Sequence, residues 1–173
     1  ADYGDLLLQN LNMFHIQPDI KNYYKNKFKF ILVDEYQDTN MCQYKWLQNI
    51  VNKNQNICVV GDDDQSIYSW RGAEVKNIFK FEKEYDKVKV IKLEKNYRSK
   101  ANILNAANFL ISNNKNRMGK DLWTDGEAGE KIEIINVNNN EEEANYVSDK
   151  IEALISSGVL LESFAILVRA SYQ

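Results

Sequence analysis

ILVDEYQDTN, residues 31–40, runs three aliphatic residues directly into an acid pair, Asp34 and Glu35, and then into a cluster of turn formers. An apolar run of this length that stops at charge and turn chemistry reads as the end of a strand buried in a sheet. Two adjacent carboxylates at such an end suit phosphoryl transfer, with Asp34 holding a hydrated Mg²⁺ and Glu35 orienting the attacking water as base. The same residues also suit a solvated strand end followed by a helix N-cap at Asp38, Thr39 or Asn40. The rest of the chain has to decide between them.

Working outward, the strand-type run that ends in the opening aliphatics is Phe28–Val33, and further ones fall at Ile57–Val60, Val88–Leu93, Ile132–Val137 and Ala165–Val168. Helical periodicity lies between most of them, at Gly4–Phe14, Met41–Val51, Ala101–Ile111 with Ser99 as expected N-cap, and Glu141–Ile155 with acids in its first turn. Strands alternating with helices predict an α/β fold with parallel sheets and ligands at the carboxyl ends of the strands. A seam near residues 92–96 divides the pattern into two incomplete halves, 1–92 and 93–173. The chain opens inside a helical pattern and closes just past a strand, as expected of a piece of a longer protein.

Composition sets the outer limits. With 173 residues, 44% hydrophobic and 27% charged, the chain is ordinary globular material able to bury a core. A net charge of -3 gives no global basic field, so any nucleic-acid contact must come from a local patch. Cys42 and Cys58 are expected to be buried, reduced thiols, which suits a cytoplasmic protein. No apolar run approaches the roughly 20 residues that span a bilayer, and no signal-peptide pattern opens the chain.

Two further blocks carry chemistry. VVGDDDQSIYSWRGA, residues 59–73, leaves a strand at Val60, turns at Gly61, and brings Gln65 near the strand end, where an amide can bond a phosphate or a water. Its three aspartates read as a turn cluster in which Asp64 or Ser66 caps a short helix. Tyr68 and Trp70, followed by Arg71, suit stacking on unpaired bases with a cation beside the phosphate backbone, or equally a pair of aromatics packed under a loop. LEKNYRSKANIL, residues 93–104, sets Tyr97 and Arg98 just after a strand. A flat face for a purine and a bidentate phosphate contact are one reading, and a packed tyrosine beside a surface ion pair is the other.

The three blocks together resemble the superfamily 1 DNA helicases of the UvrD, Rep and PcrA type. DEYQDTN matches the family's motif II, its version of the Walker B element, over seven consecutive residues; 59–73 is similar to motif III and 93–104 to motif IV. The resemblance implies parts of two RecA-like motor domains and assigns Asp34 to Mg²⁺ and Glu35 to water activation. It also makes Gln65 and Arg98 γ-phosphate contacts, Tyr97 the adenine stack, and Tyr68 and Trp70 the single-stranded DNA stack. ATP and Mg²⁺ are the implied cofactors. The implied partners are single-stranded DNA and duplex/single-strand junctions, and the implied movement is 3′→5′ in repair or replication restart.

Weaker similarities reach both ends. ADYGDLL resembles a family DFDDLL segment with Gly4 in place of an acid. NNKNRMGKDLWT, residues 113–124, resembles a basic segment, so that Lys115, Arg117 and Lys120 read as a solvated basic loop or as contacts to a phosphate backbone. In VRASYQ, Arg169 stands at a DNA-phosphate position and Ser171 stands where the family has asparagine. His15 is expected on a helix face. The seven glycines include no G-x-x-x-x-G-K-[ST], so these residues supply no Walker A strand and loop and the chain by itself is expected to be inactive. The helicase subunit of a recombination helicase–nuclease, and a non-catalytic module that binds DNA or a partner, are the alternative readings.

Overall fold

Asn40 starts the helix that joins two paired strands. Its side-chain oxygen accepts the Gln43 N–H at 2.9 Å while the Gln43 side chain accepts the Asn40 N–H at 2.9 Å, a reciprocal cap that opens α3 (Met41–Ile50). The helix follows β1 (Ile31–Val33) and precedes β2 (Ile57–Val59), which pair in parallel with Ile31 opposite Ile57 and Val33 opposite Val59. A parallel pair needs such a crossover. In this computed structural model, which describes residues 2–170, the chain forms two compact units, one ending at Gly129 and one beginning at Glu130.

The core of the first unit forms because each strand alternates. Ile31, Val33, Ile57 and Val59 face a cluster of Phe14, Tyr36, Leu47, Ile50, Ile78 and Phe81, whereas Leu32 and Cys58 point to the other, uncovered face. Phe14 comes from α1 (Tyr3–Ile16), which packs on α3 and on α2 (Pro18–Lys27). Pro18 sits in the first turn of α2, where its missing N–H costs nothing, with Asp19 beside it and Lys25 and Lys27 in the last turn. Ile78 and Phe81 come from α4 (Lys76–Glu84), which packs against the 3₁₀ turn Tyr36–Asp38. Phe81 meets the Tyr36 ring edge-on at 5.9 Å between centroids.

The unit continues to α5 (Ala101–Ile111). Its N-cap is Lys100 rather than Ser99, and the Ser99 N–H instead donates to Asn96 Oδ1 at 2.8 Å. In the second unit, α6 (Asn140–Ser156) begins where Asn139 accepts the Glu142 N–H at 2.9 Å. His15 is exposed on α1, as its pattern predicts. No helix among the described residues is long and apolar enough to cross a membrane.

Two expectations need correction. The two expected parallel sheets reduce, among the described residues, to one sheet of two short strands, Ile31–Val33 and Ile57–Val59. The runs at 88–93, 132–137 and 165–168 form no ladder there, and Ile91, Leu93, Ile134 and Leu167 are exposed. Apolar pattern specifies the faces of a strand but not its hydrogen-bond partner, and an apolar run without a neighbour in register stays unpaired. The thiols are also less buried than expected: Cys42 is half-buried and Cys58 exposed, because Cys58 lies on the uncovered face of β2.

Candidate functional site

The carboxyl ends of β1 and β2 are joined. Val60 N–H donates to Val33 O at 2.8 Å and Tyr36 N–H donates back to Val60 O at 2.9 Å, which carries the pairing past the strands and into the turns beyond them. Between these turns lies Gln37, 1% exposed. Its Nε2 donates to Glu35 Oε2 at 2.8 Å and its Oε1 accepts the Asp62 N–H at 2.9 Å. One buried amide therefore holds the Glu35 carboxylate and the start of the aspartate turn together.

Glu35 itself adopts φ 50 and ψ 43, the left-handed region, and its N–H donates to Asp34 Oδ1 at 2.9 Å. Such a conformation in a residue other than glycine costs on the order of 1–3 kcal/mol and marks a position held by its surroundings. Asp34, Glu35, Asp38, Thr39, Gln43 and Trp46 line an open recess of about 380 Å³. Asp34 and Glu35 are exposed, and Asp38 Oδ1 is buried with no hydrogen-bond partner among the described residues. Three carboxylates on one recess, one with an orphaned oxygen, fit a hard cation that prefers oxygen ligands.

Beyond β2, Asp62 caps the turn Asp63–Gln65 by accepting the Asp64 N–H at 3.0 Å, the place that had been expected for Asp64 or Ser66. Gln65 is exposed, and its Nε2 donates to Asp62 Oδ2 at 2.7 Å. A second turn, Ser69–Arg71, presents Tyr68 and Trp70 with ring centroids 6.4 Å apart and Trp70 69% exposed. Arg71 Cζ lies 4.5 Å from the Trp70 ring centroid and 5.2 Å from that of Tyr68. Neither aromatic is packed under a loop. The turn ends at Gly72, φ 81, and Glu74 N–H then donates to Thr39 O at 3.0 Å, so the turns after β1 and β2 are tied at both ends.

All three aspartates are held by the segment 117–120, two of them through basic side chains. Arg117 Nε and Nη2 donate to Asp64 Oδ1 and Oδ2 at 2.9 and 2.6 Å, Lys120 Nζ pairs with Asp62 Oδ1, and the Met118 N–H donates to Asp63 Oδ2 at 2.8 Å. These carboxylates lie close enough together to hold a metal, but protein cations already pair with two of the three. Burial pushes the Asp62 carboxyl up, and bonds from Lys120 and Gln65 outweigh it, holding the group below the usual carboxylate range. Arg117 and Lys120 are thus neither a solvated loop nor open to a phosphate backbone, while Lys115 is exposed.

Asn96 builds the third part. Its Oδ1 accepts the N–H groups of Arg98 at 2.9 Å and Ser99 at 2.8 Å, and its own N–H donates to Trp123 O at 2.7 Å. This turn leaves Tyr97 85% exposed and Arg98 exposed. Lys95 Nζ lies 5.4 Å from the Tyr97 ring centroid and 5.1 Å from that of Trp123. Arg169 is exposed in the second compact unit, and Ser171 lies outside the described residues.

Comparison with known proteins decides the family. Residues 1–86 match the UvrD/REP helicase N-terminal domain and residues 91–173 the UvrD-like helicase C-terminal domain. The chain belongs to the UvrD/Rep/PcrA-type helicase family. Over 173 residues, 99% of the chain, it is 52% identical to the DNA helicase II of Rickettsia typhi. It is 46% identical to the DNA helicase II of Haemophilus influenzae over 173 residues and 47% to the ATP-dependent DNA helicase PcrA of Staphylococcus epidermidis over 172. It spans 24–26% of the length of these curated relatives.

Within this helicase-family chain, Asp34, Glu35 and Gln65 lie on joined turns, and Tyr68, Trp70 and Arg71 form one exposed group. Gln37, Asp62, Asn96, Arg117 and Lys120 support those residues and carry no signal of it in their own neighbourhoods. Only the side-chain amide or charge type of each hinted at a partner.

Proposed function

We propose that the chain is the later part of the first RecA-like motor domain, residues 1–92, and the early part of the second, residues 93–173, of an ATP-dependent DNA helicase. The observation that carries this reading is the Gln37 bridge, which fixes Glu35 to the turn bearing Gln65 at the carboxyl ends of two parallel strands. That is where an α/β sheet binds its ligand. Asp34 would hold Mg²⁺ at the carboxylate recess, and the chemistry the ion would supply there is charge neutralisation for phosphoryl transfer. Glu35 accepts the proton of the attacking water, its carboxylate oriented by Gln37. Gln65 and Arg98 contact the γ-phosphate and Tyr97 stacks on adenine.

Tyr68 and Trp70 stack on unpaired bases, with Arg71 and Arg169 at phosphates. The whole protein moves 3′→5′ along single-stranded DNA from duplex/single-strand junctions, in the cytoplasm, serving repair or replication. By itself the 173-residue chain turns over no ATP, because these residues include no lysine loop for the β- and γ-phosphates. The test is DNA-stimulated ATP hydrolysis by the full-length protein, with Glu35→Gln expected to lower kcat by roughly 10²–10⁴-fold, the worth of a positioned base. Unchanged kcat overturns the role of Glu35, and a DNA-stimulated activity of the isolated chain that Glu35→Gln removes overturns its inactivity.

A further inference from the structure

Gln65 does not reach its position through its own backbone alone. Its amide is held by Asp62 Oδ2 at 2.7 Å, while the other oxygen of that carboxylate accepts the Asp64 N–H at 3.0 Å and pairs with Lys120. Two residues on, Asp64 takes Arg117 in a bidentate pair, the geometry in which a guanidinium fixes a carboxylate in angle as well as distance. Between them Asp63 accepts the Met118 N–H. Every aspartate of the turn is thereby bound to the short segment 117–120, which lies 53 residues downstream at Arg117 and is braced on itself by Arg117 Nη2 donating to Lys120 O at 2.8 Å.

We infer that this charged clasp, Asp62 with Lys120 and Asp64 with Arg117, is a positioning element for Gln65 that lets the segment after residue 91 set how the glutamine is aimed. The inference rests on the reading of Gln65 as the γ-phosphate contact. Both pairs are largely desolvated, with side chains 13–20% exposed. Loosening either partner leaves a charge uncompensated in a poorly solvated place, so the clasp favours being fully closed or fully open over intermediate positions. The clasp joins the part of the chain that matches the N-terminal helicase domain to the part that matches the C-terminal one. A displacement of 117–120 pulls on Asp62, and through Asp62 on Gln65; Tyr68 and Trp70 follow on the same stretch of chain. Lys120 and Arg117 act here as positioning residues, since neither needs to touch nucleotide or DNA.

The experiment compares Lys120→Gln, Arg117→Gln and the charge-swapped pair Asp64→Arg with Arg117→Asp in the full-length protein. The readouts are kcat and KM for ATP with saturating single-stranded DNA, the affinity for that DNA, and thermal midpoint. Each single change is expected to lower DNA-stimulated kcat about tenfold, with KM and DNA affinity changed less than about threefold, the split of an interaction used in the transition state alone. The swapped pair is expected to recover most of kcat. A merely structural clasp lowers the thermal midpoint, which the swap restores, and leaves kcat of the folded fraction untouched; that result overturns the inference. Glu35→Gln and Gln65→Ala run alongside. If both abolish hydrolysis while the clasp variants do not alter it, the positioning role fails and the function stands; if neither affects hydrolysis, the functional reading itself fails and the inference with it.

Discussion

A methyl group placed on Gly61 would stand 2.8 Å from Oε1 of Gln37, 3.2 Å from the Tyr36 nitrogen and 3.3 Å from the Gln37 nitrogen. The backbone after β2 therefore runs directly against the buried amide that holds Glu35, and only a residue without a Cβ leaves that amide in place. Gly61→Ala is expected to cost about 1–3 kcal/mol by overpacking. Gln37→Ala is expected to cost a similar amount, about 1–3 kcal/mol, because it leaves the Asp62 N–H without its acceptor. Removing the Gln37 side chain also removes the closest of these contacts, so the double variant should be less destabilised than the sum of the two. Denaturant unfolding of all three variants checks this, and strict additivity would show that the two residues do not meet.

The clasp should make the fold sensitive to acid. Asp62 has its carboxyl held below the usual range in the folded state, so it binds a proton less readily folded than unfolded. Its contribution to stability is complete above the unfolded value of about 3.9 and is lost as pH falls through the depressed folded value. Thermal midpoints measured from pH 6 downward should hold steady to about pH 4 and then drop. Lys120→Gln removes the strongest of the interactions that lower this carboxyl, and its curve should fall less steeply over that window. An identical acid limb in the variant would refute the assignment.

Trp70, proposed above to stack on bases, is exposed, and Arg71 lies over its ring at 4.5 Å. A base that stacks there displaces or shares the guanidinium, which is free to turn to the adjoining phosphate. Trp70→Ala is expected to weaken single-stranded DNA binding by about 1–3 kcal/mol with little dependence on sequence. Arg71→Ala should instead reduce the salt dependence of binding by about one phosphate contact. Titration of intrinsic tryptophan fluorescence with oligonucleotides at several salt concentrations separates the two. Quenching that survives Trp70→Ala in full would place the bases elsewhere.

Local chemistry was readable in the sequence where it was complete within a few residues. A helix N-cap within residues 38–40 and the bounds of α3 and α5 within a residue or two follow from neighbours in the chain. Two helices carry weak sequence signals for physical reasons. In α2 the apolar residues are few and Pro18 is the only clear start signal, and α4 has Val75 at its N-cap with no capping side chain, directly after the motif block. Ladders for 88–93, 132–137 and 165–168 could not be foreseen or excluded, because pairing depends on a partner strand and not on the run itself. The same holds in the site. Side-chain types pointed to Asp34, Glu35 and Gln65, but Gln37 meets Asp62 across 25 residues and Arg117 meets Asp64 across 53, and a single sequence holds no record of such pairings.

A tyrosine cluster behind the site should set the alkaline limit of the fold. Burial pushes Tyr36 up to about 12, with Tyr85 and Glu84 adding to the shift. Burial also raises Tyr44, whose hydroxyl donates to Glu84 and accepts from Gln48 Nε2 at 2.9 Å, and burial and Glu84 raise Tyr85. In each case the folded protein keeps the phenolic proton that the unfolded chain loses near pH 10. The stabilisation is therefore complete below about pH 10 and is lost as pH rises toward 12, with each tyrosine contributing at most about 1.4 kcal/mol per pH unit over that interval. Tyr44→Phe removes one of these groups along with its bond to Glu84. Its stability should start lower at neutral pH and decline less steeply above pH 10. Tyrosinate absorbance followed together with circular dichroism tests this, because ionisation and unfolding should coincide in the wild-type chain, and tyrosines that ionise near pH 10 with the fold intact would refute it.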